Sequence, residues 1–406
     1  MLGPAAEAFL LIGAAILAGL LGHAVFRRAR VSDILVLLAI GFLLGPAFHL
    51  LDPSWLKPAM PILAPIGLVI ILFEGGLGLR WDDLKTHGGG AVAFSVLSWG
   101  AGAIALWFAG VRVLGLAPHL ALLFAVAVCA TGIVAVIPIL AQIRAPTKAR
   151  VWLTIETGLG DLLSAVAVTG LAALYLTGGS PLRFGLDFGL RFLLGAAIGF
   201  LAGLAVARAL HHMRQRANAY PLTLGGLLLA YAATEALGGS GFLSALIFGV
   251  VVGNAGALMK QGGVPALASI SDDSRQHQGE LIFLLRSIYF VYLGMSVGGA
   301  LVSWAGALTA LLLAAALLAA RMLVVTATHH GDGQTRLLLT GMYPRGMATA
   351  VLASIPAAMG VPGSETFLAS ALVLIVGCDV ATTIGIFLYE RRRVRATAAA
   401  IEPVAG

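Results

Sequence analysis

Four acidic residues lie inside long apolar runs of the sequence, where an ionised carboxylate has little water to solvate it: Glu74, Glu156, Asp161 and Asp379. An ionisable group at bilayer depth costs roughly 3 kcal/mol or more, so such groups are rare in membrane segments and usually functional. A buried carboxylate can bind a proton, bind a cation through its oxygens, or pair with a guanidinium. These acids are therefore the first candidates for chemistry.

Glu156 and Asp161 are five residues apart in one apolar segment. On a helix this spacing corresponds to about 500° of rotation, so the two side chains point about 140° apart. The divergence predicts two roles rather than one paired-carboxylate site. Glu156 is expected to form a structural ion pair that orients helices, with Arg345 as its partner. Asp161, beside a helix break expected at Gly160, is expected to be the carboxylate that takes up either a proton or a cation.

The other buried charges are less sharply defined by the sequence. Glu74 precedes a pair of glycines that permits close helix approach, and its role stays divided between the wall of a site and a structural hydrogen bond. Asp379 receives no assignment. Arg286 and Arg321 are possible accessory charges that could neutralise acids, gate water or extend to the cytoplasm, and structural pairing is the preferred interpretation.

The composition indicates a membrane protein. Of the 406 residues, 60% are hydrophobic and 11% are charged, whereas a soluble domain carries about 25% charged residues.

The net charge of +7 comes from arginines scattered between apolar runs, which excludes nucleic-acid binding because no basic patch forms. No histidine stands with a nucleophile or in metal-ligand spacing, so we expect neither an enzyme nor a cofactor. Cys129 and Cys378 lie in apolar segments and are expected to be small core residues.

Thirteen apolar segments are long enough to cross a bilayer core, which takes about 20 residues per helix. They cover residues 5–26, 31–51, 59–79, 88–110, 117–143, 151–177, 184–209, 221–237, 239–258, 279–298, 300–326, 335–360 and 366–390. With this count, eighteen Lys and Arg residues fall in the loops of one face and three in those of the other. The positive-inside rule then predicts an outside N-terminus, a cytoplasmic C-terminus and a short cytoplasmic tail over residues 391–406.

The predicted fold class is an all-α polytopic membrane protein, a single transmembrane domain over residues 1–406. Its fifth segment contains Gly132, and its twelfth contains Pro344 and Gly346, residues that interrupt helices. Interruptions at matching positions are typical of transporters built from two inverted repeats, whose discontinuous helices cross near the bilayer midplane. The repeats are predicted over residues 5–177 and 221–390, joined by the helix at 184–209.

Several stretches of the sequence together carry a family resemblance. They are Val31-Ser-Asp-Ile-Leu with Gly41-Phe-Leu-Leu-Gly-Pro46, Leu72-Phe-Glu-Gly-Gly-Leu77, the segment around Ala130-Thr131, Ile155-Glu-Thr-Gly-Leu-Gly-Asp161, Gly239-Ser-Gly-Phe with Gly253-Asn254, Arg286-Ser-Ile-Tyr-Phe-Val-Tyr-Leu-Gly294, and Pro344-Arg-Gly346. In this order and spacing the chain resembles the sodium/proton exchanger (NhaP-like) branch of the monovalent cation:proton antiporter family along nearly its whole length.

The resemblance implies a homodimer in the cell (inner) membrane, each protomer with a dimerisation part and a six-helix core. It implies that Asp161 alternately binds a proton and a transported cation, Na⁺ above all. It further implies that Thr131 offers an oxygen at the helix break, and that Thr157 and Glu74 help to close the site. The ion pair assigned above to Glu156 agrees with the family pattern.

Two positions depart from that pattern. The family usually has Thr-Asp-Pro where this chain has Thr131-Gly132-Ile133, and Asn-Asp or Asp-Asp where it has Gly160-Asp161. One titrating acid in place of two favours one-for-one, electroneutral exchange of protons for Na⁺, Li⁺ or K⁺. Two other interpretations stay open: a degenerate membrane sensor or subunit that does not transport, and a channel-like cation pathway.

Overall fold

The computed structural model describes residues 4–29, 32–52, 56, 59–178, 181–212, 219–260, 272–296, 303–329 and 332–401. Within these residues the regular structure is helical, without strands. The helices are α1 (Pro4–Ala29), α2 (Asp33–Phe42, continued by a π-helical turn over Leu43–Ala47), α3 (Met60–Gly78), α4 (Trp81–Arg112), α5 (Pro118–Val128), α6 (Ile133–Gln142), α7 (Thr147–Thr177), α8 (Pro181–His212), α9 (Ala219–Ala236), α10 (Gly241–Gly253), α11 (Ala255–Lys260), α12 (Asp272–Ser296), α13 (Trp304–Thr328), α14 (Gly333–Gly341), α15 (Met347–Ala358) and α16 (Phe367–Ile401).

Local sequence signals set the ends of several helices. Pro118 occupies the first turn of α5, where its missing N–H removes no helical hydrogen bond. Gly178 ends α7 in the left-handed conformation, with φ +63°, which only glycine adopts without strain. Asp332 caps α14: its carboxylate accepts hydrogen bonds from the N–H groups of Gln334 (3.0 Å) and Thr335 (3.1 Å). These backbone bonds lower the pKa of Asp332 below its ordinary value, because they favour the charged form.

Small residues allow the helices to approach closely. Helices α3 and α8 both pack along α10, and α4 packs along α7. A side-chain carbon added at Gly249 of α10 would overlap the backbone carbonyl of Phe73 in α3. Gly341 of α14 and Gly385 of α16 are in similar backbone contact. Packing through small residues is how helices associate in lipid, where the hydrophobic effect gives no net drive.

Large apolar side chains cover the outer faces of several helices. Phe9 of α1, Leu193 of α8 and Leu323 of α13 are all strongly exposed. An apolar surface of this extent requires lipid or another protein chain against it. By length and composition, six helices among the described residues could cross a membrane: they lie within Lys85–Arg112, Thr147–Thr177, Gly189–His211, Gly279–Ser296, Trp304–Thr328 and Phe367–Val394.

Each of the thirteen predicted segments contains helix in the structure, and residues 31, 297, 298 and 300–302 of these segments lie outside the described part of the chain. The fifth segment divides into α5 and α6, and the twelfth divides into α14 and α15, so the helix is interrupted at both expected places. The number of membrane spans and the inverted repeats stay predictions. Much of the predicted tail continues α16 as helix to Ile401, and residues 402–406 lie outside the described part of the chain.

Candidate ion-binding site

The two interrupted helices touch each other at their breaks. Helix α5 ends at Val128 and α6 begins at Ile133, while α14 ends at Gly341 and α15 begins at Met347. The backbone N–H of Gly132 donates a hydrogen bond to the carbonyl of Pro344, at 2.9 Å. The crossing therefore brings free backbone groups from four helix ends into one buried region.

Asp161 of α7 lies beside this crossing. Its side chain is buried, at 1% exposure, and neither carboxylate oxygen has a hydrogen-bond partner among the described residues. The N–H of Ile133, at the N-terminal end of α6, lies close enough to interact electrostatically with the carboxylate. Its geometry is not that of a hydrogen bond. The guanidinium of Arg345 is also within electrostatic range. A buried carboxyl with so little compensation is stable only when it holds a proton or a cation.

Glu156, on the same helix, is fully paired, but its partner differs from the expected one. Arg321 of α13 binds it with both terminal nitrogens: Nη2 donates to Oε2 at 2.8 Å and Nη1 to Oε1 at 2.5 Å. The Nε of Arg321 donates to the carbonyl of Leu339 in α14. The prediction that Arg345 pairs with Glu156 is therefore wrong. Arg321 has the fork-like approach that a bidentate pair requires, and Arg345 is hydrogen-bonded elsewhere.

Thr131 connects the two breaks through its hydroxyl. Its Oγ1 donates to Oε1 of Glu156 at 3.3 Å and accepts from Nη1 of Arg345 at 3.0 Å. The hydroxyl proton and one lone pair are thus already engaged. Thr157 is also buried, and its hydroxyl donates to the carbonyl of Thr154 at 3.0 Å. Both hydroxyls are already hydrogen-bonded. The oxygens best available to a cation beside Asp161 are therefore the backbone carbonyls at the breaks.

A polar cavity of about 20 Å³ lies beside the Glu156 ion pair. Its lining includes Ser95, Ser98, Trp99, Thr131, Glu156, Gly160, Arg321, Tyr343 and Arg345. This volume is enough for about one water molecule. The cavity reaches Gly160, one residue before Asp161.

Glu74 faces a different and larger cavity, of about 240 Å³. The cavity is also lined by His23, Arg286 and Ile133, and it therefore reaches the N-terminal end of α6. Arg286 forms an ion pair with Asp33 of α2, at 2.5 Å. Glu74 therefore lies in the wall of a cavity that reaches the break between α5 and α6. Asp379 lies on α16, where it is buried and neither carboxylate oxygen has a hydrogen-bond partner among the described residues.

Two ion pairs of the structure are not indicated by the sequence. Asp33 begins α2 at the start of an apolar segment, where the sequence indicates a motif residue and not a paired charge. The sequence predicts Arg321 as a possible accessory charge, but nothing in its spacing indicates which acid it meets. Both pairs join helices that are distant in the chain, α2 with α12 and α7 with α13.

The two glycines that depart from the family pattern occupy different surroundings. A Cβ at Gly160 would lie 3.5 Å from the Cβ of Ala130, an ordinary contact. A Cβ at Gly132 would lie 2.8 Å from the backbone nitrogen of Gly346, which is too close. The crossing of the breaks therefore depends on glycine at 132, whereas position 160 has room for a Cβ. Helix α7 continues without interruption from Thr147 to Thr177, so the helix break expected at Gly160 is wrong: its backbone keeps the helical conformation. Among the described residues no group of three His, Cys, Asp or Glu side chains could hold a metal ion.

These features define a polytopic membrane protein in which two interrupted helices meet beside a buried, unpartnered carboxyl. Comparison with known proteins specifies the class further. Residues 12–390 match the family model described as "Sodium/hydrogen exchanger, transmembrane". The chain therefore belongs to the sodium/hydrogen exchanger family, which is a family of transporters and not of enzymes.

Individual relatives agree with this assignment. The chain is 25% identical over 300 residues to Na(+)/H(+) antiporter 1 of Methanocaldococcus jannaschii, covering 70% of this chain and 67% of the relative. The structure of the sodium proton antiporter MjNhaP1 from the same organism, at pH 8, has a similar fold: the TM-score is 0.74 at 22% identity, over 94% of this chain and 96% of that one. An electron-microscopy map of MjNhaP1 gives a TM-score of 0.70 at 21% identity, over 98% of both chains.

Proposed function

We propose that this protein exchanges a monovalent cation, Na⁺ in the first place, for protons across the plasma membrane, by competition at Asp161. The observation that carries the proposal is the state of the two acids on α7. Glu156 has a bidentate partner, whereas Asp161 is equally buried and has none. A proton and a hard cation both bind carboxylate oxygens, and one excludes the other.

The cation would complete its coordination with backbone carbonyls at the crossing of the breaks, the oxygen of Thr131 and water. Half-helix ends and unwound backbone provide such ligands in other transporters. Water would reach the site through the cavity that Glu74 and Arg286 line. Movement of the core helices then turns the site from one side of the membrane to the other, and Asp161 crosses either protonated or with its cation.

Electroneutral exchange follows from the number of free acids at the site. Asp161 supplies one carboxylate, and the position before it is Gly160, so one proton exchanges for one cation.

We further propose that the protein works as a homodimer in the inner membrane and contributes to pH homeostasis, with its N-terminus outside and its C-terminus in the cytoplasm. The positive-inside asymmetry of the loops supports this orientation.

The test is cation-driven proton flux in proteoliposomes, followed with an enclosed pH-sensitive dye after addition of Na⁺, Li⁺ or K⁺. Wild type should move protons, and Asp161→Asn should not. Asp82→Asn is the matched control, because Asp82 is an exposed carboxylate near the start of α4, and it should behave as wild type. Exchange in Asp161→Asn, or silence of folded wild type with every cation, would contradict the proposal. A flux that responds to an imposed membrane potential would contradict electroneutrality alone.

A further inference from the structure

The guanidinium of Arg345 is buried without an ion-pair partner among the described residues. The residue is 3% exposed, its Nη1 donates to the neutral hydroxyl of Thr131 at 3.0 Å, and its Nε has no hydrogen-bond partner. The nearby carboxylate of Glu156 is already occupied by both terminal nitrogens of Arg321. A guanidinium stays charged in proteins, and a buried charge is stable only when an opposite charge compensates it. Arg345 therefore requires an anion close by.

The two glycines that depart from the family pattern both lie beside Arg345. The family usually has aspartate at the position of Gly132, and asparagine or aspartate at that of Gly160. A Cβ on Gly132 would lie 3.3 Å from the backbone carbonyl carbon of Arg345, and Gly160 lines the same cavity as Arg345. In this chain neither position supplies a polar side chain, so neither supplies the countercharge of Arg345.

Three residues that line the cavity of about 20 Å³ have polar groups without a partner among the described residues. These groups are the hydroxyls of Ser98 and Tyr343 and the Nε of Arg345, and all of them are buried. Each of them can donate a hydrogen bond. Buried donors are almost always satisfied in proteins, which indicates that the cavity holds an occupant that accepts hydrogen bonds.

The charge of the cavity distinguishes an anion from water as this occupant. About 10–15 Å³ suffices for one water molecule, so the cavity also admits an ion that is slightly larger than water. The charged residues of its lining are Glu156, Arg321 and Arg345. One carboxylate and two guanidiniums leave one positive charge in excess. Water would accept the hydrogen bonds and leave this charge unbalanced, whereas a halide ion both accepts the hydrogen bonds and balances the charge.

The cavity lies on a different face of α7 from Asp161. Gly160 follows Glu156 by four residues, which is about 40° around the helix, whereas Asp161 follows it by five, about 140°. Glu156 and Gly160 line the cavity, and Asp161 is not among the described residues that do so. The two buried carboxyls without partners, Asp161 and Asp379, form no hydrogen bond with Arg345. The cavity is therefore a site separate from the proposed cation site.

We propose that this cavity binds one small monovalent anion, chloride in the cell, as the resident countercharge of Arg345. The Nε of Arg345 and the hydroxyls of Ser98 and Tyr343 donate hydrogen bonds to the anion, and Gly160 leaves the space for it. The anion is not transported and does not compete at Asp161. Its binding is therefore independent of the exchange function proposed above.

Trp99 supplies a direct probe of this site, because it also lines the cavity. Bromide resembles chloride in size and charge, and it quenches tryptophan fluorescence by the heavy-atom effect. In purified protein kept in choline gluconate, choline bromide should quench the fluorescence saturably, and chloride should reverse the quenching by competition. Gluconate is too large to enter. Trp99→Phe should lose the saturable part and keep the linear, collisional part. Purely linear quenching of wild type would mean that the cavity holds water only and would overturn the proposal.

Variants of the lining identify the donors. Ser98→Ala and Tyr343→Phe each remove one hydroxyl that has no partner, and each should weaken bromide binding about 10-fold, because hydrogen bonds to charged groups are strong. Ser95→Ala is the matched control. Ser95 lines the same cavity, but its hydroxyl already donates to the carbonyl of Ala91 at 2.7 Å, so bromide affinity should stay that of wild type. Wild-type affinity in Ser98→Ala and Tyr343→Phe, or an equal loss in Ser95→Ala, would overturn the proposal.

A side chain at position 160 tests whether the cavity requires negative charge. A Cβ on Gly160 meets only ordinary contacts, so Gly160→Asp and Gly160→Asn should both fill the cavity and lose bromide binding. In wild type, replacing gluconate by chloride should raise the unfolding temperature in detergent, because the anion binds the folded state. In both variants this rise should disappear. Without chloride, Gly160→Asp should unfold at a higher temperature than Gly160→Asn, since only aspartate balances Arg345. Equal unfolding temperatures of the two variants, or bromide binding by Gly160→Asp with wild-type affinity, would overturn the proposal.

Discussion

Glu156 and Asp161 lie about 7.5 Å apart along the axis of one helix, and both are buried in the same protein core. Their hydrogen-bond partners differ. Glu156 receives both terminal nitrogens of Arg321 and the hydroxyl of Thr131. Asp161 receives no hydrogen bond from the described residues and faces the crossing of two interrupted helices. Burial alone therefore does not mark a functional carboxylate, since both acids have it.

The difference lies in whether the charge of each acid is already compensated. The compensated acid, Glu156, holds α7 to α13, because separating it from Arg321 would leave two buried charges without partners. An uncompensated acid can change its occupant at low cost. The comparison predicts that changes at Glu156 affect stability first, and that changes at Asp161 affect transport first.

The largest expected effect is on transport, in Asp161→Asn. The amide resembles the protonated acid in shape but cannot release a proton or balance a cation, so exchange should fall to the rate of protein-free liposomes. Thermal unfolding in detergent should be close to wild type, because Asp161 makes no hydrogen bond or ion pair with the residues that the structure describes. A variant that unfolds at a much lower temperature would place Asp161 with Glu156 as a structural acid and remove the contrast.

The next effect is on stability, in Glu156→Gln. Arg321 would keep its charge inside the core without a countercharge, which costs about 3–5 kcal/mol. The unfolding temperature in detergent should fall strongly, and residual folded protein should still exchange. The double variant Glu156→Leu with Arg321→Met removes both charges and should recover most of the lost stability, since buried pairs can often be replaced by apolar residues. A single variant as stable as wild type would contradict the structural role.

A smaller difference in stability is expected between variants of two glycines, Gly132 at the break between α5 and α6 and Gly160 next to Asp161. Gly132→Ala would push a methyl group against the backbone of Gly346, and overpacking of this kind costs about 1–3 kcal/mol. Gly160→Ala meets only an ordinary contact and should stabilise α7 by up to about 1 kcal/mol, because alanine favours the helix over glycine. Unfolding of the two variants side by side checks the order. The opposite order would show that the breaks do not cross as closely as the structure has them.

Much of this arrangement could be predicted from the sequence, because the signals are local. The apolar segments follow from composition, and both interruptions follow from Gly132 and from the Pro344 and Gly346 pair. The divergence of Glu156 and Asp161 follows from helical rotation. Each of these inferences needs residues within one segment, and each segment appears as helix at the expected place.

The pairing of charges could not be predicted in the same way. Arg321 and Arg345 are both buried and both lie near Glu156, so the sequence offers two candidates of the same chemistry. The choice depends on how α13 and the link between α14 and α15 approach α7. The family resemblance favoured Arg345, while the structure gives Arg345 to Thr131 and Arg321 to Glu156. Helix-to-helix geometry of this kind leaves no trace in residue spacing.

The smallest effect on transport that we predict concerns Thr131, whose hydroxyl joins Glu156 to Arg345. In Thr131→Val both hydrogen bonds are lost, which should cost about 1–3 kcal/mol because the buried partners are left unsatisfied. Thr131→Ser keeps the hydroxyl and should lose less than half of that amount. If backbone carbonyls and Asp161 supply most of the cation's ligands, the KM for Na⁺ in Thr131→Val should rise only a few-fold, measured by proteoliposome flux. A complete loss of exchange in Thr131→Val, together with wild-type behaviour of Thr131→Ser, would instead make the hydroxyl an indispensable ligand and extend the exchange site from Asp161 to the edge of the Glu156 pair.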